Sequence, residues 1–306
     1  MDDDFKLLEN CRLCPRNCQV NRLNGELGYC QAGSGFDIAS ISVHLGEEPV
    51  ISGKNGICNV FFSHCNLQCV YCQNYRISGR DCQPVGPKRS LPEIVNSIKS
   101  ILNGGVESLG FVSPTHMVPQ MKTIIRALHE EDFFPYIVYN TGAYDSVEIL
   151  KSLEEWVDVY LPDFKYADPD LARRYSDAGN YPEMAGRAIK EMYRQKGSTL
   201  RLNEKGIAEW GLIVRQLVLP GAVDNSKNAL RYLAGEISER ISVSLMSQFY
   251  PVKQVSKIPD LNRKLTRTEY EEVVKEMEDL GFTKGWVQDH ESADFYLPDF
   301  DSENPF

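Results

Sequence analysis

The sequence predicts an α/β fold preceded by a small Cys-rich module, and three observations predict it. From about residue 57 onward, short apolar runs alternate with amphipathic stretches. All nine cysteines fall within the first 82 positions. Residues 1–35 carry turn formers (Pro15, Asn17, Gly25, Gly28, Gly33) and few apolar positions. Such alternation argues for parallel βαβ units in a barrel-like or doubly wound sheet. The apolar runs place strands at 58–63, 108–113, 135–140, 157–163, 212–219 and 241–248. Between them, helical periodicity is expected at 91–102, 118–130, 146–156 and 226–238. The long connection 166–206 has room for two helices, 169–177 and 181–195, and a last helix at 267–281 precedes an acidic tail. The expected division is therefore 1–56 for the Cys-rich module and lead-in, 57–285 for the barrel domain and 286–306 for the tail. Tyr-Leu-Pro-Asp-Phe occurs twice, at 160–164 and 296–300, which chance explains.

Composition narrows the functional classes. The chain has 306 residues, of which 42% are hydrophobic and 25% charged, the proportions of an ordinary soluble domain. No apolar run approaches the roughly eighteen residues needed to span a bilayer, and Met1–Lys6 is acidic rather than an apolar leader. A cytoplasmic protein with no membrane partner is expected. The net charge of -10, without a Lys/Arg cluster, repels phosphate backbones and argues against nucleic acid as partner.

Nine cysteines, an odd number, clustered at one end of a cytosolic chain read as metal ligands rather than as a disulfide framework. After the first strand comes His64-Cys65-Asn66-Leu67-Gln68-Cys69-Val70-Tyr71-Cys72. Three thiolates at C-x3-C-x2-C suit a loop around one [4Fe-4S] cube and leave one iron open, the mark of a catalytic site. The amino and carboxylate groups of S-adenosylmethionine can chelate that iron. Zinc is the competing ligand for this triplet, with His64, Cys58 or Cys82 as a fourth donor. Cys11, Cys14, Cys18 and Cys30 form a second set, C-x2-C-x3-C-x11-C. Four thiolates make a closed site for zinc or a second iron–sulfur cluster, and zinc is the slightly favoured reading because a closed ion would help so short a segment to fold. Cys58, in an apolar strand, reads as a buried small hydrophobe.

On the cluster motif and the segments at the strand ends, the chain resembles radical S-adenosylmethionine proteins of the pyruvate formate-lyase activating enzyme-like group. The likeness runs from the N-terminal Cys module to the last helix. It implies a partial (β/α)6 TIM-like barrel with Cys65, Cys69 and Cys72 on the cluster, Tyr71 near the adenine, and an electron donor such as flavodoxin or ferredoxin. At the second strand end, where activating enzymes bind the methionine amino group with Gly-Gly-Glu, this chain has Ser113-Pro114-Thr115-His116, so Ser113 and Thr115 are expected there. The Tyr139-Asn140-Thr141-Gly142 turn places Asn140 near the adenosyl group. Asp163 and Lys165 are expected to line the cavity and Arg215 to approach the methionine carboxylate, which a planar guanidinium fork suits. Gln248, at the sixth strand end, is expected at the ribose or adenine. His116 reads equally as an acid/base group or a satisfied polar residue. Two departures stand out: the missing Gly-Gly-Glu, and His64 where relatives usually carry Gly. The resemblance implies hydrogen abstraction from a glycine of a partner protein; a peptide, a small molecule or RNA is the alternative substrate. A non-catalytic iron–sulfur or zinc carrier or scaffold is the reading from another class.

Overall fold

A computed structural model describes residues 3–82, 89–294, 298–300 and 305. Its centre is a nine-stranded sheet: β1 Ile38–His44, β2 Ile57–Phe62, β3 Ser108–Val112, β4 Tyr136–Thr141, β5 Val159–Pro162, β6 Arg201–Leu202, β7 Ala208–Leu217, β8 Ser242–Met246 and β9 Gly285–Val287. The order is β1-β2-β3-β4-β5-β7-β8-β9, with β6 paired to β7 off this path. From β2 to β9 every neighbour along the path is parallel. β2, β3, β5 and β8 are buried along their whole length, as strands covered on both faces must be. The mixed α/β architecture with a mostly parallel sheet is the expected one.

Helices Leu91–Leu102 and Val118–Glu130 span the residues their periodicity indicates. The first begins at Ser90, whose backbone N–H donates to Glu93 at 2.7 Å in a capping box, and it buries Ile94, Val95 and Ile98. Two elements differ from expectation. The helix expected at 146–156 stops at Lys151 and continues as tight turns, with Leu153 and Trp156 bonded three residues back. The helix expected at 226–238 starts at Val223 and widens into a π-type turn at Ala234–Ser238.

The termini of the barrel depart most. β1 lies inside the expected lead-in 1–56, yet it pairs antiparallel with β2 from His44↔Ile57 to Ile38↔Phe62. That direction delivers residues 45–53 to the N-terminal ends of the parallel strands, the barrel floor. β9 overlaps the start of the expected tail and adds a seventh parallel strand beside β8. Part of the tail, including Tyr296 and Leu297 of its pentapeptide copy, lies outside the described residues. Leu8, Leu13 and Ala32 of the Cys module belong to the same apolar core as the barrel. Among the described residues no helix is long and apolar enough to cross a membrane.

Candidate active site

The barrel encloses a cavity of about 610 Å³ that runs from the cluster loop at the strands' C-terminal ends to the floor segment 44–53. Sites of parallel barrels form at that C-terminal end. Cys65, Cys69 and Cys72 share its wall with Tyr71, and all three thiols are free of disulfides. Each sulfur has one donor: the Leu67 N–H to Cys65 at 3.4 Å, the Ser176 hydroxyl to Cys69 at 3.0 Å and the Ser78 hydroxyl to Cys72 at 3.3 Å. Burial pushes the Cys65 thiol up to about 12. Burial raises Cys69 as well, although the Lys165 charge pulls the other way. A metal that takes these thiols as thiolates therefore displaces protons as it loads.

His64, which precedes the first thiol, has φ +68°. This is the left-handed region that glycine enters without penalty, so His64 meets a backbone demand that glycine would meet more easily. The His64 N–H donates to the Ile77 carbonyl at 2.6 Å, and its Nδ1 lies 3.4 Å from the Cys82 sulfur. Cys82 thus supports the loop entrance rather than facing the cavity.

Below the loop stands a column of paired charges. Lys165 Nζ donates to Asp163 Oδ2 at 2.6 Å, and Arg215 Nε donates to Asp163 Oδ1 at 2.7 Å. Arg215 also donates to Asn140 Oδ1 at 2.7 Å and to Glu47 Oε2 at 3.0 Å. Glu47 Oε1 accepts from Asn59 and Asn140, each at 3.2 Å. Burial alone would raise the Asp163 carboxyl, but the Arg215 and Lys165 charges outweigh it and hold it below the ordinary range. Burial would likewise lower Lys165, and Asp163 reverses that. The neighbouring Glu48 goes the other way: burial raises its carboxyl against the pull of Arg215. Among the described residues its Oε2 meets no partner. Asn59 reaches Glu47 across Gly110, where a Cβ would stand 2.1 Å from Asn59 Oδ1; any larger residue there would displace the amide.

The cavity wall gathers Tyr71, Ser113, Asn140, Asp163, Lys165, Arg215 and Gln248. Gln248 accepts from Gln288, and its carbonyl from Gln73. Thr115 stands elsewhere. Its hydroxyl donates to the buried Asp145 at 2.7 Å, within a network that also holds Thr141 and Tyr139. That network fixes the β4 turn from behind. His116 is buried too, with Nε2 at 2.9 Å from the Ser63 carbonyl, and burial lowers it to about 3; it is a neutral structural residue. Sequence reasoning missed Glu47 and Glu48. The signal available was the alternating Ile38–His44 stretch, whose pairing direction aims the following residues into the barrel.

Comparison with known proteins fits this geometry. The signature of the radical SAM superfamily matches residues 59–202. An uncharacterized protein of Methanocaldococcus jannaschii is 30% identical over 282 residues, covering 89% of this chain and 74% of the relative. The chain belongs to the radical SAM superfamily. Among solved structures, it is similar in fold to HydG, the [FeFe]-hydrogenase maturase of Carboxydothermus hydrogenoformans (TM-score 0.52, 15% identity, 76% of this chain and 52% of that one). It is also similar to Streptococcus suis SuiB bound to its precursor peptide SuiA (TM-score 0.50, 10% identity, 74% and 47%). The chain spans about half the length of these two.

Membership implies a [4Fe-4S] cluster and S-adenosylmethionine, and the residues present fit both. Three half-buried thiols, each with its own donor, face one cavity wide enough for a nucleoside ligand. Among the described residues no three His, Cys, Asp or Glu side chains are gathered around a single ion's position; a cube instead spreads its thiolates over separate irons.

Proposed function

We propose that the chain is a hydrogen-abstracting radical enzyme whose substrate is a glycine of a partner protein, as in activating enzymes. When bound, the cluster and S-adenosylmethionine supply a one-electron cleavage that yields a 5′-deoxyadenosyl radical. The observation that carries the reading is the joint presence, in one cavity, of the three-thiol loop and the Asp163–Lys165–Arg215 column. Cys65, Cys69 and Cys72 would hold the cluster, and Tyr71, Phe249 and Gln248 would flank the adenosyl group. Asn140 and the two Arg215 N–H bonds left after its three contacts would meet polar groups of the methionine moiety. Gln288 and Asp289, after β9, line the same wall, and Trp286 packs against the floor cluster of Val50 and Ile51. An electron donor such as flavodoxin or ferredoxin belongs to this reading.

A second reading, modification of a small molecule or peptide, is favoured by the floor. Glu48 is buried, faces the cavity and has one oxygen without a partner, which suits a hydrogen-bond donor or a cationic group deep in the barrel.

The test is anaerobic. Reconstituted protein, dithionite and S-adenosylmethionine should give 5′-deoxyadenosine, and Cys65→Ala should give none above background. Equal product from both proteins, or none from the wild type with an intact cluster, would sink the radical reading. A glycyl radical signal appearing on a candidate partner separates the two substrate classes.

A further inference from the structure

The N-terminal cysteines are not used by the function above, and their surroundings are those of an anionic centre. Cys11, Cys14, Cys18 and Cys30 line one small cavity together with Arg22 and His116. None is in a disulfide. Two of the sulfurs have a donor at hand: the Tyr29 N–H donates to Cys18 at 3.3 Å, and Arg22 Nη1 points at Cys11 from 4.0 Å.

Arg22 decides the matter. Its side chain is 1% exposed, and it donates to the carbonyls of Gly33 and His116. Among the described residues no carboxylate pairs with it. A buried cation without a counter-charge is costly, and buried charges are found paired or beside metals. Four thiolates around a metal centre would supply the missing negative charge.

The same module grips the cluster loop of the barrel. Arg16, between Cys14 and Cys18, donates to the Asn66 carbonyl at 2.9 Å and to the Ser176 carbonyl at 3.2 Å. Ser176 is the donor to Cys69. Asn66 Oδ1 lies 3.8 Å from the Cys65 sulfur. Arg16 therefore ties the segment between Cys14 and Cys18 to the residue beside Cys65.

We propose that Cys11, Cys14, Cys18 and Cys30 hold a second, fully cysteine-ligated iron–sulfur cluster linked to the first through Arg16 and Asn66. The link to the first cluster favours an iron–sulfur cluster over zinc, because zinc carries no electron. That link gives the second cluster a task. A low-potential one-electron carrier reduces it, and that electron passes to the first cluster, with no bond or proton moved.

The experiment removes the first cluster and asks what remains. The Cys65→Ala/Cys69→Ala/Cys72→Ala protein, purified anaerobically, should retain about four irons and four sulfides per chain and show a [4Fe-4S] EPR signal on reduction. About one zinc per chain in their place, or folded protein without metal, overturns the proposal. The wild type gives an independent reading if the triple variant does not fold. It should carry about eight irons, and its fully reduced EPR lines should be broadened by spin–spin coupling. Cys14→Ala/Cys18→Ala should lose about half the iron and restore narrow lines. Iron unchanged in that variant, or wild-type lines already narrow, also overturns it.

Discussion

The cluster loop at the cavity mouth and the charge column beneath it hold their polar groups by opposite means. In the loop, three thiols lie on one continuous segment, each steadied by a single weak donor. In the column, Glu47, Asn59, Asn140, Asp163 and Arg215 come from five separate segments and are locked by charge-assisted bonds of 2.7–3.2 Å. The loop leaves its final geometry to the metal, whose bonds to sulfur are strong enough to set it. The column has no such agent, so its geometry is built into the protein before any ligand arrives.

The largest test of this contrast is Arg215→Met. It strands Glu47 without its cation and leaves Asp163 with Lys165 alone, at a cost of about 3–5 kcal/mol. Urea unfolding should show that loss, and adding Glu47→Gln should recover part of it, because the two sites share one network. Full additivity of the two changes would mean the column is not a unit. Next in size is Ser176→Ala at the mouth. Losing the donor to Cys69 should weaken iron retention against a chelator by about 10–100-fold while leaving the unfolding midpoint of the apoprotein little changed; an equal fall in both would erase the distinction. The smallest effect concerns His116, under the loop entrance. Its folded pKa, about 3, lies below the unfolded value, so between the two the unfolded chain binds the extra proton. Stability should fall as the pH drops through that window, by up to about 1.4 kcal/mol per unit. His116→Gln should flatten this limb when unfolding midpoints are measured from pH 6.5 to 4, and an unaltered slope would mean that other groups carry it.

The sequence made the loop legible and left the column hidden, for a physical reason. Cys65, Cys69 and Cys72 are local: their chemistry is readable from spacing within eight positions. The helix Leu91–Leu102 was equally local, its start written in Ser90 and Glu93. Asp163, Lys165 and Arg215 needed the resemblance, since two charges at a strand end read otherwise as solvated. Glu47 could not be placed at all, because its role depends on β1 running against β2. Alternation in Ile38–His44 marks a strand but not its direction. The place of Thr115 in the motif points to the cavity, whereas the turn after β3 directs it at Asp145. The three-residue β9 is too short to leave a periodic signal.

The bond between Glu47 and Arg215 joins residues 168 positions apart. During synthesis the floor segment and its strand pair are complete long before β7 emerges. Glu47 must stay hydrated through that interval, because a buried carboxylate without its cation is the costly state. Closing so long a loop is also entropically expensive and slow. The barrel interior therefore stays wet until late in folding, and the arrival of one arginine dries it.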